Sequence, residues 1–395
     1  MILRALKPLH LLILLSAFNH VAFVGSRLVV LLYGAHLGAS PAIVGVLAAL
    51  FALLAAVTSV SVGRWIDRAG PRTPLLIASV AMIAGGVLPF FWRGVAALFV
   101  VATLIGTFHN VFHIAQNQLV GRYGKPEERP ANFSLSSLGN SAATFLGPLL
   151  AGLSVDHIGH PAAFVVLAAS ALVPLPFIAF NMLTYPQAPQ RSAAAHAEAA
   201  SAGMWSLLRE RDLRRIYIAS VLTNGTWSVV NFLIPLYGLQ IGLGATQIGT
   251  LMGTFALATV LIRIVLTLGA RRFTPWQMMV TALFTTGTGF LCLPFTELFS
   301  LLLVICFWIG MGLGVAGPMT MALLYDASPP ERTGEVIGLR VTLQNICQSA
   351  VPLASGVLGA ATGVGPVFWA LAALILWGCY DNRARLRRRP PLNRP

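Results

Sequence analysis

The chain contains 395 residues, of which 57% are hydrophobic and 10% are charged, and its mean hydropathy is +0.79. These values exclude a soluble globular domain and are typical of a membrane protein with several spans. The formal net charge of +14 is compatible with a nucleic-acid-binding protein as well as with a membrane protein. The positions of the charges along the chain distinguish the two.

Twelve apolar segments follow one another along the chain. Each can cross a hydrocarbon core of about 30 Å as an α-helix, and the alternation of a membrane β-barrel is absent. No cleavage site follows the first segment, so we expect that helix to be retained. The predicted spans are 9–33, 41–63, 73–92, 95–121, 132–155, 161–183, 212–239, 246–268, 276–296, 299–325, 333–360 and 364–381.

The basic residues are concentrated in alternate loops. When the loops are assigned in turn to the two sides of the membrane, only one of the 26 basic residues, Arg93, lies in a loop on the external side. Because cytoplasmic loops carry the excess of Lys and Arg, both termini are predicted to be cytoplasmic. We therefore expect a multi-pass protein of the bacterial cytoplasmic (inner) membrane, in contact with the lipid bilayer and without a nucleic-acid partner.

The two halves of the chain repeat at a constant offset of 204 residues. Leu-Tyr-Gly at 32–34 recurs at 236–238, and Pro148 corresponds to Pro352 without a gap between the two sites. The repeat predicts a duplicated six-helix unit. The expected domains are an N-terminal six-helix bundle (1–184), a cytoplasmic linker (185–211) and a C-terminal six-helix bundle with a basic cytoplasmic tail (212–395).

The loop between spans two and three carries Gly-Arg-Trp-Ile-Asp-Arg-Ala-Gly-Pro-Arg at 63–72. It resembles the loop signature G-x-x-x-D-R-x-G-x-R of the major facilitator superfamily, except that Thr73 replaces a further basic residue. The resemblance implies an all-α membrane fold of twelve helices in two six-helix bundles, and a cytoplasmic latch. The latch residues would be Gly63, Asp67, Arg68, Gly70 and Arg72. The equivalent loop in the second half has Arg271 in place of the acid, so a single latch is expected.

Span five contains a second motif, Gly147-Pro148-Leu149-Leu150-Ala151-Gly152. It resembles the G-P-x-x-G-G element that this superfamily associates with proton-coupled antiporters, although Ala151 replaces one glycine. Proline bends a helix and small neighbours permit close packing. The motif predicts a conformational role for Gly147, Pro148 and Gly152, and helix packing alone is the alternative.

Every acidic residue lies at or beyond the end of an apolar segment, whereas Arg27, Arg263 and Arg340 lie inside the membrane spans. A charge at the bilayer centre costs about 2.5–3.5 kcal/mol on insertion scales, so such residues normally face a protein interior or a water-filled path. The pattern favours an anion site. Arg263 and Arg340 could instead extend to the membrane surface, since long basic side chains snorkel. Arg27 is expected in the cavity.

Helical spacing places His20, Phe23 and Arg27 on one face of span one. The 204 offset gives Asn224, Trp227 and Asn231 in span seven, and the two stripes are expected to face each other. Spans four and eleven add further polar groups. The candidate substrate-binding residues are His20, Phe23, Arg27, His109, His113, Asn224, Trp227, Asn231, Arg263, Arg340 and Gln344.

These residues predict a secondary active transporter that moves a small organic solute by alternating access. Arginine fits carboxylate, phosphate and sulfonate groups through paired hydrogen bonds, so an anionic substrate is expected. Protons are a candidate coupling ion because histidine titrates near physiological pH. The histidines could also contact substrate or be structural. No cofactor and no metal site is predicted, since Cys and acidic ligands are missing at that depth.

Two alternatives to an anion transporter are a transporter of other cargo and a membrane enzyme. A multidrug efflux antiporter, or one for neutral or amphiphilic sugar-type metabolites, is the alternative, because Phe23, Trp227 and the amides could bind such cargo. Exporters of lipophilic cations usually carry a carboxylate inside a membrane span, whereas the acidic residues of this chain lie at or beyond the span ends. We expect no enzyme, because the sequence shows neither a nucleophile–base arrangement nor a phosphate-binding loop.

Overall fold

The structure is a computed structural model that describes residues 8–123, 128–183, 185, 210–269, 275–327 and 333–382. These ranges fold into α-helices joined by short turns, and no strand occurs within them. The helices are α1 (Pro8–His36), α2 (Pro41–Ala69), α3 (Arg72–Phe91), α4 (Val95–Arg122), α5 (Arg129–Ile158), α6 (His160–Leu172), α7 (Pro174–Ala179), α8 (Arg211–Gln240), α9 (Ala245–Gly269), α10 (Pro275–Cys292), α11 (Phe299–Ala327), α12 (Thr333–Thr362) and α13 (Val364–Asn382). The predicted all-α membrane fold is confirmed.

Each of the twelve predicted spans has a helical counterpart. Nine candidate spans in the described ranges are long and apolar enough to cross a membrane by length and composition, and Val364–Tyr380 is a shorter apolar helix. The sixth span is divided into α6 and α7. Pro174 has no N–H group, and the amide of Val173 instead bonds to the carbonyl of Ser170 at 3.3 Å, which ends α6.

The duplicated pattern of the sequence extends to the helix boundaries. Helix α2 begins at Pro41 and α9 at Ala245, which is the offset of 204 residues. Helices α5 and α12 have 30 residues each and keep this offset at both ends. The six-plus-six repeat is therefore present in the structure as well as in the sequence.

Backbone contacts group the chain into two compact units. The first contains α1–α7 together with 231–253, where α8 ends and α9 begins, and 352–360 of α12. The second contains the remaining described parts of α8–α13. The proposed domain boundaries at 184 and 212 follow the repeat rather than these contacts and stay a prediction.

Two close helix crossings within the first unit are related by the repeat. Where α2 meets α12, a Cβ atom added to Gly45 would lie 2.8 Å from the carbonyl oxygen of Pro352. Where α5 meets α9, a Cβ on Gly249 would overlap the carbonyl oxygen of Pro148, and one on Gly152 would overlap that of Ala245. Only glycine permits backbones to approach this closely.

Candidate functional site

Helices α1, α4 and α5 bring a chain of polar side chains together inside the first unit. His109 Nδ1 lies 3.1 Å from Asn19 Oδ1, and His109 Nε2 lies 3.3 Å from His20 Nδ1. On the other side, Thr144 Oγ1 lies 3.4 Å from His20 Nε2. Asn19 is fully buried and His109 is 9% exposed. Two predicted histidines from different helices therefore form one hydrogen-bonded group.

Aromatic contacts extend this group along α1 and α4. The ring of Phe23 is stacked on His109, with centroids 3.9 Å apart and planes 12° apart. His113 lies next to it, 6.0 Å from the His109 ring, and shares hydrogen bonds of 3.3 and 3.4 Å with Asn117. The predicted stripe of span one thus meets the predicted histidines of span four.

Arg27 lies seven residues beyond His20 on α1 and is half-buried. Its Nε atom is buried and has no hydrogen-bond partner among the described residues. A buried N–H group without a partner is unfavourable, and for a charged group the cost is larger. Arg27 is therefore a donor that a bound acceptor would satisfy.

The equivalent stripe on α8 repeats one aromatic contact of α1 in the second unit. Phe23 meets Phe51 edge to face with centroids 5.9 Å apart, and the repeat-related pair Trp227 and Phe255 does so at 5.0 Å. Asn224, the counterpart of His20, donates from Nδ2 to the carbonyl of Ser220 at 2.8 Å. The sequence repeat therefore places aromatic side chains equivalently in the two halves.

Arg263 joins two helices of the second unit. Its Nε donates to the carbonyl oxygen of Gly314 on α11 at 3.3 Å. The repeat-related residues in the first half, Ser59 and Asn110, also bond to each other, at 3.1 Å. Arg263 thus occupies a position that links α9 to α11, as its counterpart links α2 to α4.

Three other candidate residues lie on α8 and α12. Arg340 is half-buried, and its Nε atom is buried without a hydrogen-bond partner in the described ranges. Gln344 follows one turn later on the same helix and is half-buried, as is Asn231 near the end of α8. Arg340 therefore resembles Arg27 in offering a buried donor.

The loop motif ends α2 and begins α3. Gly70 follows α2 with a φ of +74°, a conformation that favours glycine. Arg72 donates from Nε to the carbonyl of Ile178 at 3.2 Å and from Nη2 to that of Ala179 at 2.7 Å, at the end of α7. Gly63 lies within α2, and Arg68 is exposed. The predicted latch role of Asp67 concerns a side chain outside the described residues.

The span-five motif packs against helices on two sides. A Cβ on Gly147 would lie 3.1 Å from the backbone nitrogen of Gly25 and from the carbonyl oxygen of Val21, both on α1. Pro148 and Gly152 face α9 at the crossing described above. The motif therefore serves close helix packing in this structure.

Two polar residues of this region, Asn19 and Asp156, were not among the sequence candidates. Asn19 and Thr144 complete the histidine chain, and the helical spacing around His20 is the signal that could have indicated Asn19. Asp156, near the end of α5, accepts from the backbone amides of Ala245 at 3.1 Å and Thr246 at 2.7 Å, at the start of α9. Within the described ranges no three His, Cys, Asp or Glu side chains form a possible metal site.

Sequence comparisons give the family of this chain. The family model described as Major Facilitator Superfamily matches residues 11–352. The "Multidrug resistance protein MdtG" of Salmonella choleraesuis (strain SC-B67) is 22% identical over 345 residues, covering 85% of this chain and 83% of that protein. The human "Solute carrier family 67 member A1" is 25% identical over 343 residues, covering 80% and 78%.

Solved structures share the fold at low sequence identity. A POT family transporter in complex with 5-aminolevulinic acid has a TM-score of 0.78 at 13% identity, with 96% of each chain covered. An inward-facing bacterial homologue of the human lysosomal transporter Spinster has a TM-score of 0.76 at 12% identity, covering 98% of this chain and 99% of that one. With a family model over most of its length, the chain belongs to the major facilitator superfamily of membrane transporters.

Proposed function

We propose that this transporter moves a small organic anion with a carboxylate, phosphate or sulfonate group across the bacterial cytoplasmic membrane. The observation that supports the proposal is the buried, unpartnered Nε of Arg27, on the helix face that carries His20 and Phe23. The acidic residues of the chain lie at or beyond the ends of the spans. An anionic substrate would supply the charge-assisted hydrogen bond that this Nε lacks.

The second half contributes a matching set of groups. Arg340 has a buried Nε without a partner in the described ranges, and Asn224, Trp227, Asn231 and Gln344 are the other proposed contacts. The proposed mechanism is alternating access, in which two six-helix bundles (1–184 and 212–395) rock about the substrate site, with both termini cytoplasmic. Substrate binding shifts the equilibrium between the two accessible states.

The first prediction concerns Arg27. Arg27→Ala should weaken anion binding about tenfold to a hundredfold, because it removes charge-assisted hydrogen bonds. Thermal unfolding of the purified protein would be measured with increasing benzoate, phenyl phosphate or benzenesulfonate, since a ligand of the folded state raises stability by mass action. The exposed loop residue Arg93 provides the control Arg93→Ala, for which full anion stabilisation is expected. Equal stabilisation of both variants would place Arg27 outside the site.

Efflux of lipophilic or amphiphilic compounds is the second candidate function. It is supported by the relatives named multidrug resistance protein, and by the paired aromatic residues Phe23 and Trp227, which offer flat apolar surfaces. The same experiment separates the two candidates. Stabilisation of wild type and Arg27→Ala alike by tetraphenylphosphonium, with none by the three anions, would favour efflux.

A further inference from the structure

Ser136, Asn140 and Thr144 form a polar stripe on α5, and two of the three are bonded to neighbouring helices. Ser136 Oγ accepts from Nε2 of Gln116 on α4 at 3.0 Å, and both residues are buried. Two turns later on the same face, Thr144 Oγ1 lies 3.4 Å from His20 Nε2 on α1. The first half therefore uses most of this stripe to join its own helices.

The equivalent stripe of the second half lies on α12. It consists of Arg340, Gln344 and Gln348, each 204 positions after its counterpart on α5. All three side chains are half-buried, and within the described ranges none of them has a hydrogen-bond partner. The α12 stripe thus offers polar groups that its counterpart mostly uses within the bundle.

Two neighbouring residues explain why the α12 stripe is open. On α11, Thr320 replaces Gln116 of the first half, and its hydroxyl donates to the carbonyl of Ala316 in its own helix at 2.7 Å. On α8, Asn224 replaces a histidine, and its Nδ2 donates to the carbonyl of Ser220 at 2.8 Å. A carbonyl oxygen only accepts, so the orientation of this amide is determined. Both side chains are bonded to their own helices and not to the stripe.

Helix α8 runs alongside the α12 stripe in the same direction. Cys347 Sγ donates to the carbonyl of Val221 at 3.8 Å, and a Cβ added to Gly225 would lie 3.6 Å from the side chain of Val351. Because both residue numbers rise together, the two helices are parallel here. At 1.5 Å per residue, this register places Asn224 within about 3 Å of the level of the last stripe residue.

The residue types of the α12 stripe specify a chemical pattern. Arg340 has a positive charge and only donors, so it fits an acid group. Gln344 and Gln348 follow at steps of about 6 Å along the helix, and each has donors and an acceptor, so they fit amide or hydroxyl groups. A carboxamide covered by a hydrocarbon chain would lose its hydrogen bonds to water without replacement. The stripe therefore disfavours a substrate with a plain hydrocarbon body.

We propose that the α12 stripe selects acids whose body carries amide or hydroxyl groups, such as N-aroyl amino acids, over acids with a hydrocarbon chain. Arg340 is a guanidinium for the acid group in addition to Arg27, and the polar body lies along Gln344 and Gln348. Trp227, one turn beyond the level of Asn224, offers a flat surface to an aromatic end. The inference rests on the proposed function, because the stripe selects among anions.

The experiment compares two acids of nearly the same shape. Hippurate (benzoylglycine) and 4-phenylbutyrate both join a phenyl ring to a carboxylate, and the amide of hippurate replaces two methylene groups of 4-phenylbutyrate. Dissociation constants are measured by titration calorimetry with the full-length protein in detergent. Wild type should bind hippurate about fivefold to tenfold more tightly, because the amide forms hydrogen bonds with the glutamines.

A double variant tests the glutamines themselves. Gln344→Leu/Gln348→Leu should abolish or reverse the preference while 4-phenylbutyrate still binds, because the amide of hippurate then lacks a partner. Asn345→Leu is the matched control, since it removes a carboxamide of the same helix about 100° around from Gln344. Wild-type preference is expected in this control. Loss of the preference in both variants alike would overturn the proposal.

A further variant covers the case in which the double variant does not fold. Gln344→Glu keeps the side-chain shape and gives Arg340 a counter-ion one turn away on its own helix, so both acids should bind about tenfold more weakly. Unchanged affinity in Gln344→Glu, or equal affinity of wild type for the two acids, would overturn the stripe proposal while leaving anion transport in place. Failure of wild type to bind these acids or any of the three anions named above would overturn the proposed function itself.

Discussion

Arg72, the final residue of the loop motif, links the start of α3 to the end of α7. The last carbonyl groups of a helix have no partner within the helix and carry partial negative charge. The guanidinium of Arg72 donates to two of them, those of Ile178 and Ala179. Arg72 thus stabilises the end of the short helix α7, which begins at Pro174.

The prediction at the scale of this residue is a loss of stability. Arg72→Ala should destabilise the protein by about 1–2 kcal/mol, because it removes two hydrogen bonds and the favourable charge at the helix end. Arg72→Lys should retain part of this stability. An ammonium group keeps the positive charge but cannot reproduce the paired hydrogen bonds of the planar guanidinium. Thermal unfolding provides the measurement, and Arg64→Ala is the matched control, because Arg64 is exposed and its bond among the described side chains is to Ser61 on its own helix. A similar loss in Arg64→Ala would argue against the role of Arg72.

The helices α2 and α9 are equivalent by the repeat but are capped differently. Ser40 caps α2 with its own hydroxyl, which accepts from the amide of Ile43 at 3.4 Å. The residue equivalent to Ser40 is Gly244, which has no side-chain oxygen, and Asp156 of α5 accepts from the first amides of α9 instead. The residue equivalent to Asp156 is Ala360. The amide of Ile43 in α2 is therefore bonded by a side chain of the same segment, whereas those of Ala245 and Thr246 in α9 are bonded from a neighbouring helix.

The prediction at the scale of this element concerns the first turn of α9. Asp156→Ala should speed amide hydrogen exchange there and cost about 1–2 kcal/mol of stability, as the loss of a helix cap does. Gly244→Ser in the same background should restore protection of the first turn, because serine supplies the missing acceptor locally. His157→Ala, at the adjacent exposed residue, should change neither quantity. Unchanged exchange in Asp156→Ala would show that the cap is not required.

At the scale of the whole molecule, the repeat determines contacts as well as helix boundaries. In the first half a Cβ on Gly106 would overlap the backbone of Phe51, and in the second half one on Gly310 would overlap the carbonyl oxygen of Phe255. Each residue of the second pair lies 204 positions after its counterpart in the first pair. The same helix pair is therefore packed in the same way twice, by the same type of residue.

The prediction at this scale is that the two halves assemble without a covalent connection. A chain cut within residues 186–209 and expressed as two fragments should co-purify, because the α2–α12 and α5–α9 crossings join helices from both halves. Gly249→Leu should abolish co-purification, since no side chain fits against Pro148. Gly359→Leu is the matched control, because nothing lies within 4 Å of its added Cβ. Co-purification of fragments carrying Gly249→Leu would contradict the prediction.

The sequence predicts the helices well because membrane spans are determined by length and hydropathy, which are local properties. It also places His20 and Phe23 on one face, since that depends only on helical spacing. The pairing of His109 with Asn19 could not be predicted, because it depends on how α4 is rotated against α1. The bond of Asp156 to α9 was missed for a similar reason, since it joins residues that are 89 positions apart.

The two glycine crossings also bear on the origin of the chain. Gly45 of the first half meets Pro352 of the second, and Gly249 of the second half meets Pro148 of the first. Expressed in one numbering for both halves, position 45 of each copy contacts position 148 of the other. That is the pattern of an isologous interface, the kind that closes a two-fold symmetric homodimer. A single six-helix ancestor could therefore have assembled with its own copy through this contact before the gene was duplicated.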